Sequence, residues 1–179
     1  MNRNRLTLVL FVLFLIEGTW LKWIIPPEWQ ENVIVAPHLL LTAVLLIGIY
    51  VNRHTALLYG AGFGLLHDIV YYGPMIGPYC LCMGLLGYAA GLISFRSYSS
   101  ILTSMFLVTV GNFAFEWLIY GIYRVFQVIH TDVNRIFLYQ MLPSILINLL
   151  FALVIYVPMR RLLEKVKAGV RTEDYNGDV

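Results

Sequence analysis

Six long apolar runs constrain this chain more than any other feature of its sequence. They cover about residues 6–25, 33–51, 56–72, 74–95, 101–123 and 136–159. A helix needs about 20 apolar residues to cross the hydrocarbon core of a bilayer. With 60% hydrophobic and 12% charged residues, the composition lies well outside the range of soluble domains. The sequence therefore predicts an all-α integral membrane protein, a bundle of six transmembrane helices.

The connections between these runs are too short to fold alone. Pro26-Pro27 ends the first run, Arg96-Ser97 ends the fourth, and polar segments at 52–54 and 131–135 separate others. We expect one transmembrane domain at 1–165, followed at 166–179 by a basic and then acidic cytoplasmic tail that is disordered.

Basic residues predict the orientation in the membrane. With a cytoplasmic N-terminus, nine of the twelve Lys and Arg residues fall on the inner side, and only Lys22, Arg124 and Arg135 fall on the outer side. Cytoplasmic loops carry such an excess of positive charge. We therefore expect a multi-pass membrane protein with both termini in the cytoplasm. The third and fourth spans could instead form a re-entrant hairpin, which would leave the other spans unchanged.

Several polar side chains lie within the apolar runs, where each costs a few kcal/mol on insertion scales. A rise of about 1.5 Å per residue puts Glu17 and Asp68 about 17–18 Å from the cytoplasmic end and Glu116 about 22 Å. We interpret Glu17, His38, Asn112 and Glu116 as an intramembrane polar layer towards the outer leaflet. Two readings stay open: the groups hold the bundle together, or they form a hydrated layer that accepts a ligand or a partner helix.

Glycines at helical spacing mark two faces of the third and fourth spans. Gly60, Gly64 and Asp68 are four apart, and Gly84, Gly87 and Gly91 line one side of the next span. Small residues let helix backbones approach closely in lipid. These six residues are expected to form either packing contacts within the chain or an interface with a partner.

No catalytic constellation stands out in the sequence. HExxH, GxSxG, P-loop and CxxC patterns are all missing from it. An intramembrane enzyme would need His67, Asp68 and Glu116 to meet across helices. We expect no enzyme activity, no cofactor, no bound metal and no nucleic-acid partner.

The third and fourth spans also carry a family resemblance. The Gly60-Gly64-Asp68 face is followed by the Gly73–Gly77 turn and a glycine-bearing helix. The segments NRHTALLYG, GLLHD and LPSILINLL and the Glu late in the first span extend the similarity over nearly the whole chain. In these features the chain resembles the MreD family of rod shape-determining membrane proteins.

This resemblance implies a function and a set of partners. The function would be a non-enzymatic scaffold of the cell-elongation complex, paired with the bitopic protein MreC in support of peptidoglycan synthesis. MreB filaments, a RodA-type glycosyltransferase and a class B penicillin-binding protein would work around it, with membrane lipid as its surroundings. The implied fold is similar to the substrate-binding subunits of energy-coupling-factor transporters. The alternative function is a small-solute-binding subunit of a transporter that uses the outer polar layer.

Overall fold

Helices account for the regular structure of the protein. The computed structural model describes residues 2–24, 37–71, 74–94, 100–129 and 133–176, and within these ranges it contains no strand. The helices are α1 (Asn2–Ile24), α2 (Leu39–Tyr50), α3 (Arg53–Val70), α4 (Pro78–Ser94), α5 (Ile101–Val125), α6 (Val133–Ile136) and α7 (Leu142–Asn176), with a π-helical turn (Phe137–Met141) that joins α6 to α7.

The predicted all-α fold is confirmed, and each of the six apolar runs contains one of the longer helices. By length and apolar composition, α5 and the helical run Val133–Ala168 qualify as membrane spans, while Leu39–Tyr50 and Pro78–Ile93 are shorter apolar helices. Six complete crossings therefore stay a prediction. The helix α7 continues through Asn176, and the division of the chain into a membrane domain at 1–165 and a disordered tail at 166–179 stays a prediction.

The second helix is the centre of the bundle. Every residue of α2 is buried, and α2 contacts α1, α3, α4, α5 and α7. Its 12 residues span only about 18 Å at the usual helical rise, whereas a hydrocarbon core is about 30 Å thick. The helix therefore begins inside the bundle, and its first backbone N–H groups need partners there.

Glycines bring α3 and α4 into backbone contact. A Cβ atom on Gly60 would lie 2.7 Å from the carbonyl oxygen of Met83, and one on Gly64 would lie 2.6 Å from that of Tyr79. Gly84 faces α3 at an ordinary contact distance of 3.4 Å. A larger residue at position 60 or 64 would have to push the two backbones apart.

The other face of α4 packs on the central helix and on the start of α3. A Cβ atom on Gly87 would meet Val44 Cγ1 of α2 at 2.7 Å, and one on Gly91 would meet Arg53 Cβ at 2.6 Å. All six residues predicted for helix packing or a partner interface are buried within this chain.

The bundle encloses a few polar residues within a mainly apolar interior, and its exterior is apolar as well. Buried polar residues include Glu17, His38, Asp68, Asn112, Glu116 and Asn148. Large apolar side chains are exposed along α1, α3, α4, α5 and α7, for example Leu15, Leu66, Leu85, Trp117 and Leu150. Soluble proteins rarely expose apolar surface on every side, so lipid is the solvent that suits this exterior.

One end of the bundle gathers most of the described basic side chains. There the Tyr50 hydroxyl, at the end of α2, bonds the Ser104 hydroxyl of α5 at 2.7 Å and the Tyr156 hydroxyl of α7 at 2.6 Å. The start of α1 reaches the same end, since the Thr7 hydroxyl bonds the Tyr59 hydroxyl of α3 at 2.9 Å. We call this the basic end; its described Lys and Arg residues are Arg3, Arg5, Arg53, Arg160, Arg161, Lys165 and Lys167.

Candidate functional site: a buried polar cluster at the start of α2

Side chains from two distant helices satisfy the buried N-terminus of α2. Glu17 Oε2 of α1 accepts a hydrogen bond from the Leu40 backbone N–H at 2.9 Å. Asn148 Oδ1 of α7 accepts one from the His38 backbone N–H at 2.8 Å. The first N–H groups of a helix have no partner within it, and a carboxylate there also interacts favourably with the helix dipole. Glu17 and Asn148 therefore allow α2 to begin inside the bundle.

The His38 side chain lies between two carboxylates. Its Nε2 is 3.1 Å from Glu116 Oε1 of α5, and its Nδ1 is 4.0 Å from Glu17 Oε1. Glu17 Oε1 is also 3.5 Å from Nε2 of His67 on α3. His38, Glu17 and Glu116 are all at least 95% buried. We call these side chains the cluster: Glu17, His38, His67, Glu116 and Asn148. They come from α1, α3, α5, α7 and the residue before α2.

Asn112 lies beside the cluster on α5. Its Nδ2 donates to the Val108 carbonyl oxygen at 2.9 Å and to Thr42 Oγ1 of α2 at 3.4 Å. Of the four residues predicted for the polar layer, Glu17 and Glu116 both lie next to His38, and Asn112 joins α5 to α2 one turn away from Glu116.

Asp68, which depth estimates put level with Glu17, was predicted to take part in helix packing or a partner interface. Its described hydrogen bonds all come from the start of α4. Its carboxylate accepts from the backbone N–H groups of Gly77 at 2.9 Å, Cys80 at 3.2 Å and Tyr79 at 3.4 Å. Asp68 thereby closes the α3–α4 turn and caps α4.

A small cavity adjoins the Glu116–His38 pair. Its volume is about 100 Å³. It lies between α5 and the π-helical turn, and the polar residues on its wall include His38, Glu116, Tyr120 and Gln140. The Tyr120 hydroxyl is buried without a hydrogen-bond partner among the described residues. π-Helical turns occur frequently at functional sites, and here the turn places Gln140 and Met141 in the cavity wall.

The described side chains of the cluster pair with one another and with the start of α2. In the described part of the chain, no group of three or more His, Cys, Asp or Glu side chains could hold a metal ion. His67, Asp68 and Glu116 were the candidates for an intramembrane enzyme. Their described partners are separate: Glu17 for His67, the start of α4 for Asp68, and His38 for Glu116.

Comparison with known proteins assigns the chain to a family. The family model of the rod shape-determining protein MreD matches residues 2–166. The chain belongs to the MreD family. It is also 25% identical over 177 residues to the rod shape-determining protein MreD of Bacillus subtilis (strain 168), covering 97% of this chain and 100% of that protein. No solved structure matches the chain significantly.

Family membership gives the general function and location. This MreD-family protein is a rod shape-determining membrane protein, and the expected resemblance is confirmed. The interior geometry adds what sequence reasoning missed: the pairing of Glu17 with the N-terminus of α2, the capping role of Asp68, and the participation of Tyr120 and Gln140. The Gly77-Pro78 pair nine and ten residues after Asp68 was a usable signal for the cap, since Pro favours the first positions of a helix.

Proposed function

We propose that this protein is a non-enzymatic membrane scaffold of the cell-elongation complex that pairs with an MreC-like bitopic protein and thereby supports peptidoglycan synthesis and rod shape. The observation that carries the proposal is the family match over residues 2–166. MreB, a RodA-type glycosyltransferase and a class B penicillin-binding protein are the further partners that this role implies.

The distribution of polar and apolar surface supports a scaffold. The polar side chains are largely engaged with one another inside the bundle, and the exterior is apolar. The two glycine faces are taken up by contacts among α2, α3 and α4. A single-span partner is therefore expected to dock on an exposed apolar face in exchange for lipid, while the glycines act as internal packing positions.

The proposed location is the bacterial plasma membrane, with several crossings and both termini in the cytoplasm. The basic end supports this orientation, because Lys and Arg accumulate on the cytoplasmic side of membrane proteins. The short central helix, whose N-terminus is paired inside the bundle, agrees with the proposed similarity to energy-coupling-factor substrate-binding subunits. Half-helices with buried N-termini are typical of membrane transport proteins.

The scaffold function is tested by copurification. The full chain is expressed at its native level with an affinity tag, solubilised in a mild detergent and isolated. A single-span partner of the MreC type should copurify in a fixed ratio. Recovery of a free monomer alone would overturn the proposal.

Photo-crosslinking then identifies the docking face. A photoreactive amino acid is placed, one position at a time, at Leu15, Leu66, Leu85, Trp117 or Leu150, each exposed on a different helix. One or two neighbouring faces should cross-link to the partner, and the others should cross-link to lipid. The same probe at Arg161, at the basic end outside the predicted spans, is the matched control. Equal cross-linking at all positions would indicate random collision.

The transporter alternative lacks a pocket of the size that it needs. It requires a pocket for a solute in the outer polar layer, and small-molecule sites usually enclose about 300–1,000 Å³. The cavity beside Glu116 is about 100 Å³. The scaffold is therefore the function that we propose.

A further inference from the structure

We propose that the cavity beside Glu116 binds a single primary ammonium group. This inference is independent of the scaffold function, because it follows from the polar groups on the wall of this cavity.

Three polar groups on the cavity wall have unused bonding capacity. Within the described residues, Glu116 forms its hydrogen bond through Oε1 only, with His38, which leaves Oε2 without one. The Tyr120 hydroxyl is buried and has no partner. The Gln140 backbone oxygen accepts from Ser144, but its side-chain amide makes no hydrogen bond in the described part of the chain. Buried polar groups are nearly always paired, so the Tyr120 hydroxyl, beside Glu116 and the half-buried Gln140 side chain on the same wall, points to a missing ligand.

The missing partner should be a donor that carries positive charge. A carboxylate oxygen is an acceptor, and hydroxyl and amide oxygens can accept as well. An ammonium group offers three N–H donors and has no acceptor. The cluster also holds two carboxylates, Glu17 and Glu116, next to imidazoles that are charged only when protonated. A further cation would balance charge that is costly to bury.

Aromatic side chains complete the cavity wall. Tyr79, Phe115 and Tyr123 line it together with Tyr120. Aromatic rings attract cations, and the attraction is strongest where water is excluded. A carboxylate surrounded by rings suits an alkylammonium ion better than it suits a neutral alcohol or an anion. The volume of about 100 Å³ limits the ligand to the ammonium group and a short stretch of its carbon chain.

The proposal is tested by the thermal stability of the purified full chain in lipid nanodiscs. Ethylammonium chloride is titrated against sodium chloride at equal ionic strength and against ethanol at equal concentration. A ligand that binds only the folded state raises the unfolding midpoint by mass action. We expect a saturable rise of about 3–5 °C at ten times the dissociation constant, with no such rise in sodium chloride or ethanol.

Variants assign the effect to the cavity. Tyr120→Phe removes one hydroxyl oxygen, leaves the Glu116–His38 pair in place and should weaken ethylammonium binding at least threefold. Without amine, the same variant should be at least as stable as the parent, because an unpaired buried hydroxyl has been removed. Glu116→Gln should abolish the shift. Tyr139→Phe is the matched control, since Tyr139 is exposed and outside the cavity, and it should behave like the parent.

Three results would overturn the proposal: no saturable shift with ethylammonium, an equal shift with ethanol or sodium, or an unchanged shift in Tyr120→Phe and Glu116→Gln together. If water alone fills the cavity, the first of these results is expected.

Lipid composition distinguishes two sources of the ammonium group, a lipid headgroup and a free amine. Nanodiscs of phosphatidylethanolamine carry a primary amine in the headgroup, whereas phosphatidylcholine nanodiscs carry a bulkier trimethylated one. If the headgroup enters the cavity, phosphatidylethanolamine should raise the midpoint by itself and reduce the shift caused by ethylammonium. Equal ethylammonium shifts in both lipids would assign the site to free amines.

Discussion

Two carboxylates stabilise two helix N-termini within this bundle, and they do so across different distances in the chain. Asp68 accepts three backbone N–H groups at the start of α4, nine to twelve residues further along. Glu17 accepts the Leu40 N–H at the start of α2, 23 residues further along. An acid in an apolar segment is costly to bury, but each of these two accepts backbone N–H groups that would otherwise be unpaired. Each acid therefore allows a helix to begin where water is excluded.

The role of Asp68 predicts a graded response to substitution. Asp68→Asn keeps one oxygen that can accept two of the three hydrogen bonds, so it should cost about 1–2 kcal/mol. Asp68→Leu leaves all three N–H groups unpaired in a buried turn and should cost about 3 kcal/mol or more. The comparison is made by thermal unfolding in detergent. Equal loss of stability in both variants would show that the negative charge, rather than hydrogen bonding, is what α4 requires.

At the scale of helices, the α3–α4 pair depends on contact between backbones. Gly60 and Gly64 lie directly against α4, while Gly62, on the same helix and between them in sequence, has open space around it. Glycine is therefore needed for close packing at positions 60 and 64, but not at position 62 between them. This difference gives an internal control for the cost of separating the two helices.

Gly64→Ala should destabilise the protein by about 2–3 kcal/mol, because the new methyl group would overlap the Tyr79 carbonyl and the helices would have to separate. Gly62→Ala should be neutral or stabilising by up to about 1 kcal/mol, because alanine favours the helix and meets no neighbour. Unfolding midpoints of both variants test this pair. Similar destabilisation by both would mean that helix propensity, and not backbone contact, governs this hairpin.

The sequence predicts the positions of the long helices better than the contacts between them. Apolar runs bounded by Pro and polar segments located the long helices, because burial in lipid acts on each segment separately. Contacts such as His38 N–H to Asn148, 110 residues apart, depend on how each helix is rotated about its axis. A single sequence does not specify that rotation.

At the scale of the whole molecule, the bundle has two chemically distinct ends. The basic end contains the starts of α1 and α3 and the end of α2, where Tyr50 bonds Ser104 and Tyr156. The buried carboxylates lie in the other half, together with the α3–α4 turn and the end of α5. This asymmetry is what a positive-inside orientation would produce, since the basic side chains gather at one end and the buried carboxylates lie nearer the other.

The topology can be tested with single cysteines in a Cys80→Ala, Cys82→Ala background. Arg3→Cys and Lys167→Cys at the basic end should react with a membrane-impermeant maleimide only after the cells are permeabilised. Gln127→Cys, exposed in the turn after α5, should react in intact cells.

The position that tests whether α3 and α4 cross fully is Ile76, exposed in the α3–α4 turn. Labelling of Ile76→Cys from outside would mean that α3 and α4 cross fully. Protection of Ile76→Cys with Gln127→Cys still labelled would instead establish a re-entrant hairpin, and labelling of Arg3→Cys in intact cells would contradict the proposed orientation.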